Sequence, residues 1–396
     1  MPRVDREGKR WLWALIALGT VVRLAIAATT DGVVYDVESF QLTRHALAHD
    51  FLHAFGALNG PDYYRWPYPP GFFAWIEVAA AGDRVFGGGY IAFIQLAPIA
   101  ADAAIAWLVA WYLAARNLPR RTWLAAGGLI ALGPSFIVIS GYAVQIDSVA
   151  VLPAVGALIL WERTEPADRA WKAGLLLGLA ASIKTVPGLV VLALLPTARS
   201  WREAGALVGC ALAVPLVLLA PFAVADLDGV RAMLHYNGAP GLGGLTLALQ
   251  PDLAETWLRV PTDFSAINHW IFEHQRWVNA SVLALTAAFL VRFRVAAPLA
   301  AVMLWLVVWA FGTGFFFQYL VWGLPFLLIA GYVRSAAALQ LVTIVPAVVF
   351  YAGPWKADSI VVAFVIVMLA VWLAWLAGLV LLARDVARGR PTAKPA

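Results

Sequence analysis

The sequence predicts an all-α polytopic membrane protein, and three observations carry that reading. Of 396 residues, 62% are hydrophobic and 13% charged, with mean hydropathy +0.80. Soluble domains carry roughly 25% charged residues. Uncharged apolar runs of about 20 residues recur along the whole chain, each long enough for a bilayer core roughly 30 Å thick. The pI near 9.4 does not indicate nucleic acid, because the basic residues form short clusters between apolar runs. The one cysteine, Cys210, lies inside an apolar run, which excludes a disulfide framework.

The first run, 11–30, follows Arg3, Arg6, Lys9 and Arg10. Ala25-Ile-Ala27 resembles a signal-peptidase site, yet Arg23 interrupts the apolar region and many spans follow, so the run reads as a retained span. Next comes a long loop, 31–90, opening on Asp31-Gly-Val-Val-Tyr-Asp36-Val-Glu38-Ser-Phe40. Carboxylates pressed against a bilayer surface are costly unless they serve something. In extended chain Asp36 and Glu38 point to one side, whereas on a helix they diverge by about 200°. The first case makes a two-carboxylate acid/base or metal site; the second leaves one general base and a bystander. The bland alternative has Asp36 or Ser39 capping the next helix.

His45, His49 and His53 follow at i, i+4 and i+8. Two such histidines can hold zinc, but no Cys or Glu completes a set, so they read as the polar stripe of an interfacial helix. The loop continues through Tyr63-Tyr-Arg-Trp-Pro-Tyr68-Pro-Pro-Gly71 into 72–81, a segment too short to span. Runs at 91–115, 122–140 and 146–161 come next. Asp102 lies within the first of these and needs a buried partner; Arg23 and Lys184 are the candidates, with a structural Arg23–Asp102 ion pair preferred. Gly141-Tyr-Ala-Val-Gln145-Ile-Asp147 joins two spans, where Gln145 and Asp147 would bind sugar hydroxyls, brace the first loop or cap a helix.

Between Trp171 and Arg199 the apolar stretch is broken by Lys184, Pro187 and Pro196, which reads as a broken helical hairpin over 172–197 with halves 172–183 and 186–197. A lysine beside freed backbone donors is a good anion site, the alternative being a lysine snorkelling to headgroups. After a span at 204–225, a second long loop, 226–276, holds His235. Runs at 277–291, 296–316, 319–333, 336–352 and 360–383 complete about twelve membrane segments in one integral membrane domain. Lys and Arg concentrate in the short loops on the side of both termini, which places those loops in the cytoplasm and 31–90 and 226–276 outside. Long loops on one side favour a site lying over a membrane cavity. No phosphate loop, dinucleotide fingerprint or nucleophile elbow appears.

The order of several motifs resembles the GT-C superfamily of integral membrane glycosyltransferases. They are the acidic stretch after the first span, Tyr68-Pro-Pro-Gly71, Pro98-Ile-Ala-Ala-Asp102, Gly141-x-x-x-Gln145-x-Asp147, Gly174…Lys184-x-x-Pro187 and Phe317-Gln318-Tyr319-Leu-Val-Trp322-Gly-Leu-Pro325. The last is similar to a stretch in the GPI mannosyltransferase I-like branch, which uses polyprenyl-phosphate-mannose. The likeness runs from about Trp11 to Leu328. It implies a GT-C-type bundle and inverting transfer of a hexose, mannose by family precedent, from a polyprenyl-phosphate-sugar donor to a hydroxyl of a lipid-linked or other cell-envelope acceptor. It implies an active site on the non-cytoplasmic face; the abundance of Ala, Leu, Val and Trp fits a GC-rich bacterial genome, so the expectation is a bacterial plasma membrane with lipid contact and no nucleic acid.

By position the resemblance carries the catalytic base to Asp36, with Glu38 as secondary acid. Asp-Val-Glu stands where the family has Asp-x-Asp, leaving open a divalent cation, magnesium or manganese, on Asp36 and Glu38. The polyprenyl phosphate is a good leaving group that needs only positive charge, for which Lys184, Arg44, Arg65 and His235 are candidates. Tyr68, Gln145, Asp147, Gln318 and Tyr319 are candidates for holding sugar or acceptor. A rival reading, a transporter or flippase for a lipid-linked or small polar solute, would use Asp102, Arg23 and Lys184 as one mid-membrane site. A non-catalytic scaffold binding lipid-linked glycans would need the same groove without Asp36.

Overall fold

The computed structural model describes residues 6–60, 64–236, 240–259, 262–352 and 357–389. Tyr63 of the aromatic turn and the basic residues Arg3, Arg390 and Lys394 lie outside them. Among the described residues every regular element is helical, and one isolated bridge pairs Asn59 with Tyr64. Six helices among the described residues have the length and apolarity to cross a membrane: Arg6–Thr29, Tyr90–Ala115, Arg120–Tyr142, Trp201–Ala225, Val333–Tyr351 and Asp358–Ala387. Shorter apolar helices cover Val186–Thr197, Ala297–Phe311 and Gln318–Ile329. The protein is therefore an integral membrane protein. The run expected as a span over 319–333 has a helix of 12 residues, about 18 Å long at ~1.5 Å per residue. Hydropathy locates apolar chain but does not see where the helix stops.

The chain forms two units. The first comprises Met1–Leu132, Ile139–Val191 and Ala198–Tyr236. Its helices are α1 (Arg6–Thr29), α2 (Val34–His49), α3 (Phe73–Phe86), α4 (Tyr90–Ala115), α5 (Arg120–Ala131), α6 (Asp147–Arg163), α7 (Pro166–Ile183), α8 (Trp201–Ala225) and α9 (Leu227–Leu234). Small residues set its closest approaches. A Cβ on Gly174 of α7 would stand 2.6 Å from the Leu207 carbonyl oxygen of α8, and one on Gly178 would stand 2.9 Å from that of Ala211. Glycine at these points lets two apolar helices touch backbone to backbone, where tight packing is the main attraction available in lipid. Over the first loop an aromatic cluster forms: Phe40 and Trp66 have ring centroids 5.6 Å apart, Phe55 and Phe73 5.5 Å, and Phe73 and Phe222 5.7 Å.

The second unit comprises Gly133–Val138, Leu192–Thr197 and Asn237–Ala396. It is built on α10 (Gln275–Arg292), α11 (Ala297–Phe311), α12 (Gln318–Ile329), α13 (Val333–Ala352) and α14 (Asp358–Ala387). Its core is rich in tryptophan: Trp305, Trp309, Trp322 and Trp375 are all nearly inaccessible. Trp309 donates its indole N–H to the Tyr319 carbonyl at 2.9 Å, and Tyr319 stacks on Trp322 at 3.9 Å. α11, α12, α13 and α14 line an apolar cavity of about 620 Å³.

Candidate active site

The acidic stretch after α1 is helical, and this decides the geometry of its carboxylates. α2 starts at Val34 with Val33 in the cap position and no side chain capping it, so neither Asp36 nor Ser39 acts as a cap. The Ser39 hydroxyl instead donates back to the Tyr35 carbonyl at 2.7 Å. Two residues apart on a helix, Asp36 and Glu38 face away from each other. Glu38 is exposed and pairs with Arg65 at 3.3 Å. Asp36 turns inward to a cavity of about 50 Å³ that Phe40, Tyr68, Gln145 and Tyr236 also line.

Gln145 reaches that cavity through an unusual backbone. Residues Ile137–Tyr142 form a π-helical turn, after which Val144 adopts φ +60° while 1% exposed. A β-branched residue in the left-handed region costs about 1–3 kcal/mol and persists only where packing imposes it. Here Gly32, itself at φ +74°, closes over the Val144 side chain, where a Cβ would stand 2.6 Å from Val144 Cγ2. The distorted turn delivers Gln145 and then Asp147, the first residue of α6, to one point. Helix α7 ends at Ile183, and Lys184 is extended at φ −142°, ψ 131°. Its ammonium donates to Asp147 Oδ2 at 2.8 Å and Gln145 Oε1 at 3.2 Å, and lies 4.6 Å from the Tyr68 ring centroid. Lys184 is 2% exposed and Asp147 0%. The lysine is thus a buried, carboxylate-paired cation rather than the free one its place at a helix break suggests.

Burial pushes Asp36 up to about 7, against the opposing pull of a hydrogen bond to Gln145 and the charge of Lys184; the Asp147 charge adds to the rise. A carboxyl poised near neutrality beside an ammonium can take or give a proton. Tyr35, Arg65 and Tyr236 also line the cavity, with Tyr64 packed against two of them. Tyr35 donates to the Tyr64 carbonyl, Arg65 lies 4.7 Å over the Tyr35 ring, and Tyr64 and Tyr236 meet edge to face at 5.5 Å. Burial pushes the Tyr236 phenol up to about 12. Arg65 Nη1 meets Glu38 Oε2 at 3.3 Å, and Trp66 Nε1 is buried without a hydrogen-bond partner among the described residues.

The structure brings Asp36, Arg65, Tyr68, Gln145, Asp147 and Lys184 together. Arg44 does not line the cavity; it pairs with Asp83 at 3.3 Å and lies 4.8 Å over Tyr90. His235 is exposed at the end of α9, its Nδ1 2.6 Å from the Arg231 carbonyl oxygen. Gln318 and Tyr319 belong to the second unit, where Tyr351 donates to Gln318 Oε1 at 2.6 Å. Arg23 donates to Asp102 Oδ2 at 3.0 Å and also to the carbonyls of Gly19, Ala131 and Ile130. Ser140 and Ser148 complete the coordination of Asp102. Because Ser148 follows Asp147, the start of α6 ties this ion pair to the cavity wall. Tyr35 and Phe40 line the cavity as neighbours expected to shield Asp36, whereas Trp66 and Tyr236 had no sequence signal beyond adjacency to Arg65 and His235.

The donor set does not suit a divalent cation shared by Asp36 and Glu38. The helix sends the two carboxylates apart, Glu38 is engaged by Arg65, and Asp147, which acts on Asp36 electrostatically, already holds an ammonium. Among the described residues no group of three His, Cys, Asp or Glu is placed to hold a metal ion. A model of glycosyltransferase family 87 matches residues 66–345. No curated protein matches the chain.

Proposed function

From the premise that this chain belongs to glycosyltransferase family 87, a membrane family of the GT-C type, we propose that it is an inverting transferase using a polyprenyl-phosphate-hexose donor. The observation that carries the reading is the enclosed Asp36 carboxyl, held near neutrality beside Gln145 and Lys184. Asp36 takes the proton of an acceptor hydroxyl as that oxygen bonds the anomeric carbon of the sugar. The bond from the same carbon to the phosphate oxygen breaks on the opposite face, and the polyprenyl phosphate leaves with the electron pair. A phosphate leaving group needs no general acid, so cations suffice.

Lys184 supplies part of that positive potential and fixes Gln145 and Asp147. Arg65, which lines the cavity and whose Nη1 lies 3.3 Å from Glu38 Oε2, is the second cation. An apolar pocket of about 280 Å³, lined by Phe72, Trp75, Val149 and Ile183, adjoins Lys184 in sequence and suits the start of an isoprenoid chain. Mannose is the sugar and a lipid-linked or cell-envelope glycan the acceptor in this reading. The site faces the non-cytoplasmic side of a bacterial plasma membrane, with both termini inside. The test is incubation of the purified protein with radiolabelled polyprenyl-phosphate-mannose and membrane lipid extract. A labelled product of inverted anomeric configuration, absent with Asp36→Asn, is expected. Label remaining entirely in the donor, with correctly folded wild-type protein, overturns the reading.

A further inference from the structure

A second and larger cavity opens on the opposite side of α2, about 490 Å³ in volume. Its polar lining is His45, His49, Asp50, His53 and Arg65, and its apolar lining includes Leu42, Ala46 and Leu58. Arg65 lines this groove and the Asp36 cavity alike. The Asp36 cavity, at about 50 Å³, holds no more than a few waters at ~10–15 Å³ each, whereas the groove falls within the ~300–1,000 Å³ range of ligand sites.

The lining selects the ligand class. Asp50 Oδ2 lies 3.0 Å from His53 Nδ1, an arrangement that raises the histidine's proton affinity, and Arg65 lies 3.3 Å from Glu38. The lining charges therefore have partners of opposite sign, and the Asp226 charge also acts on His53, so the groove offers no unpaired cation to an anion. Among the described residues the ring nitrogens of His45 and His49 make no hydrogen bond, and the two rings stand 6.4 Å apart. Imidazole nitrogens meet hydroxyl groups well, and the apolar side chains beside them suit a sugar face. From Asp36 to His45 is nine residues, about 14 Å along the helix axis and roughly 180° around it. That is farther than one hexose ring spans.

We propose that this groove binds an acceptor glycan of more than one sugar, neutral in charge, whose terminal hydroxyl passes Arg65 to reach Asp36. The proposal deepens the transferase reading and rests on it for the role of acceptor; the binding site itself does not. The experiment is calorimetric titration of the full-length, detergent-purified protein with neutral manno-, gluco- and galacto-oligosaccharides of one to four units. At least one series should tighten tenfold or more from mono- to trisaccharide. Ala57→Trp, which fills the groove, and the double variant His45→Ala with His49→Ala should each weaken that binding at least tenfold. Absence of binding in every series, no gain with length, or unchanged affinity in both groove variants overturns the proposal. Release of hexose to water from polyprenyl-phosphate-mannose is measured in parallel. If the wild type releases hexose but the groove variants bind as it does, the groove fails alone. If the groove pattern appears without any hexose release, the transferase reading fails alone.

Discussion

Asp36 owes its chemistry to enclosure rather than to a strong base nearby. Burial holds it near 7, so its proton is lost as pH rises through that value, and the base is present only above it. kcat/KM for sugar transfer should therefore fall about tenfold per unit below pH 7. A profile flat from pH 5 to 8, with chemistry rate-limiting, rules out titration of Asp36. Asp36→Asn keeps the shape and should fold, losing about 10²–10⁴-fold in rate, the usual share of general base catalysis. Lys184 behaves differently because it is bound to Asp147 at 2.8 Å and buried. Lys184→Ala strands a buried carboxylate and should destabilise the fold by about 3–5 kcal/mol. The pair Lys184→Met with Asp147→Leu removes both charges and should recover most of the thermal stability while transfer stays abolished. Recovery of both stability and transfer would make the ion pair purely structural.

At the scale of elements, α2 is the organiser, since one helix sends Asp36 to the small cavity and Glu38, His45 and His49 to the other side. Glu38→Gln should accordingly cost under tenfold in rate, because it breaks only a half-exposed pair with Arg65. A loss equal to that of Asp36→Asn would show the two acids acting as one. The Tyr68-Pro-Pro-Gly71 turn is positioned by contact with the end of α7. A Cβ on Gly71 would stand 2.5 Å from the Ser182 carbonyl oxygen. Backbone cannot retreat as a side-chain tip can, so Gly71→Ala should lower the melting temperature and push Tyr68 off Lys184. Melting and transfer both at wild-type values would mean that the turn is not held against α7.

For the whole molecule the open quantity is orientation. The bias of Lys and Arg towards one set of loops argues that 31–90 is outside. In a Cys210→Ser background, Phe86→Cys, at 81% exposure, should react with an impermeant maleimide added to intact cells, while Arg294→Cys should react only after permeabilisation. The reverse pattern inverts the topology and moves Asp36 to the cytoplasm. A transporter reading required Asp102, Arg23 and Lys184 to form one exchangeable site. Instead Arg23 and Asp102 are saturated by Ser140, Ser148 and three carbonyls, and Lys184 has its own carboxylate, which leaves no mobile charge among them.

Composition and apolar run length determined the membrane class and the approximate place of the long apolar helices, because burying backbone in lipid permits little but helices. The acidic stretch, the Gln145–Asp147 turn and the Lys184 break were visible too, since charge or proline inside apolar chain stands out against it. Side-chain partnership was not visible. Whether Asp36 and Glu38 act together depended on whether Val34–His49 coils, and a short stretch of mixed polarity fits either conformation. Whether Lys184 is free depended on Asp147, 37 residues away, and on a Val144 backbone that no local preference favours. Tertiary packing decides both, because it alone can hold a strained turn and bring a distant carboxylate to an ammonium.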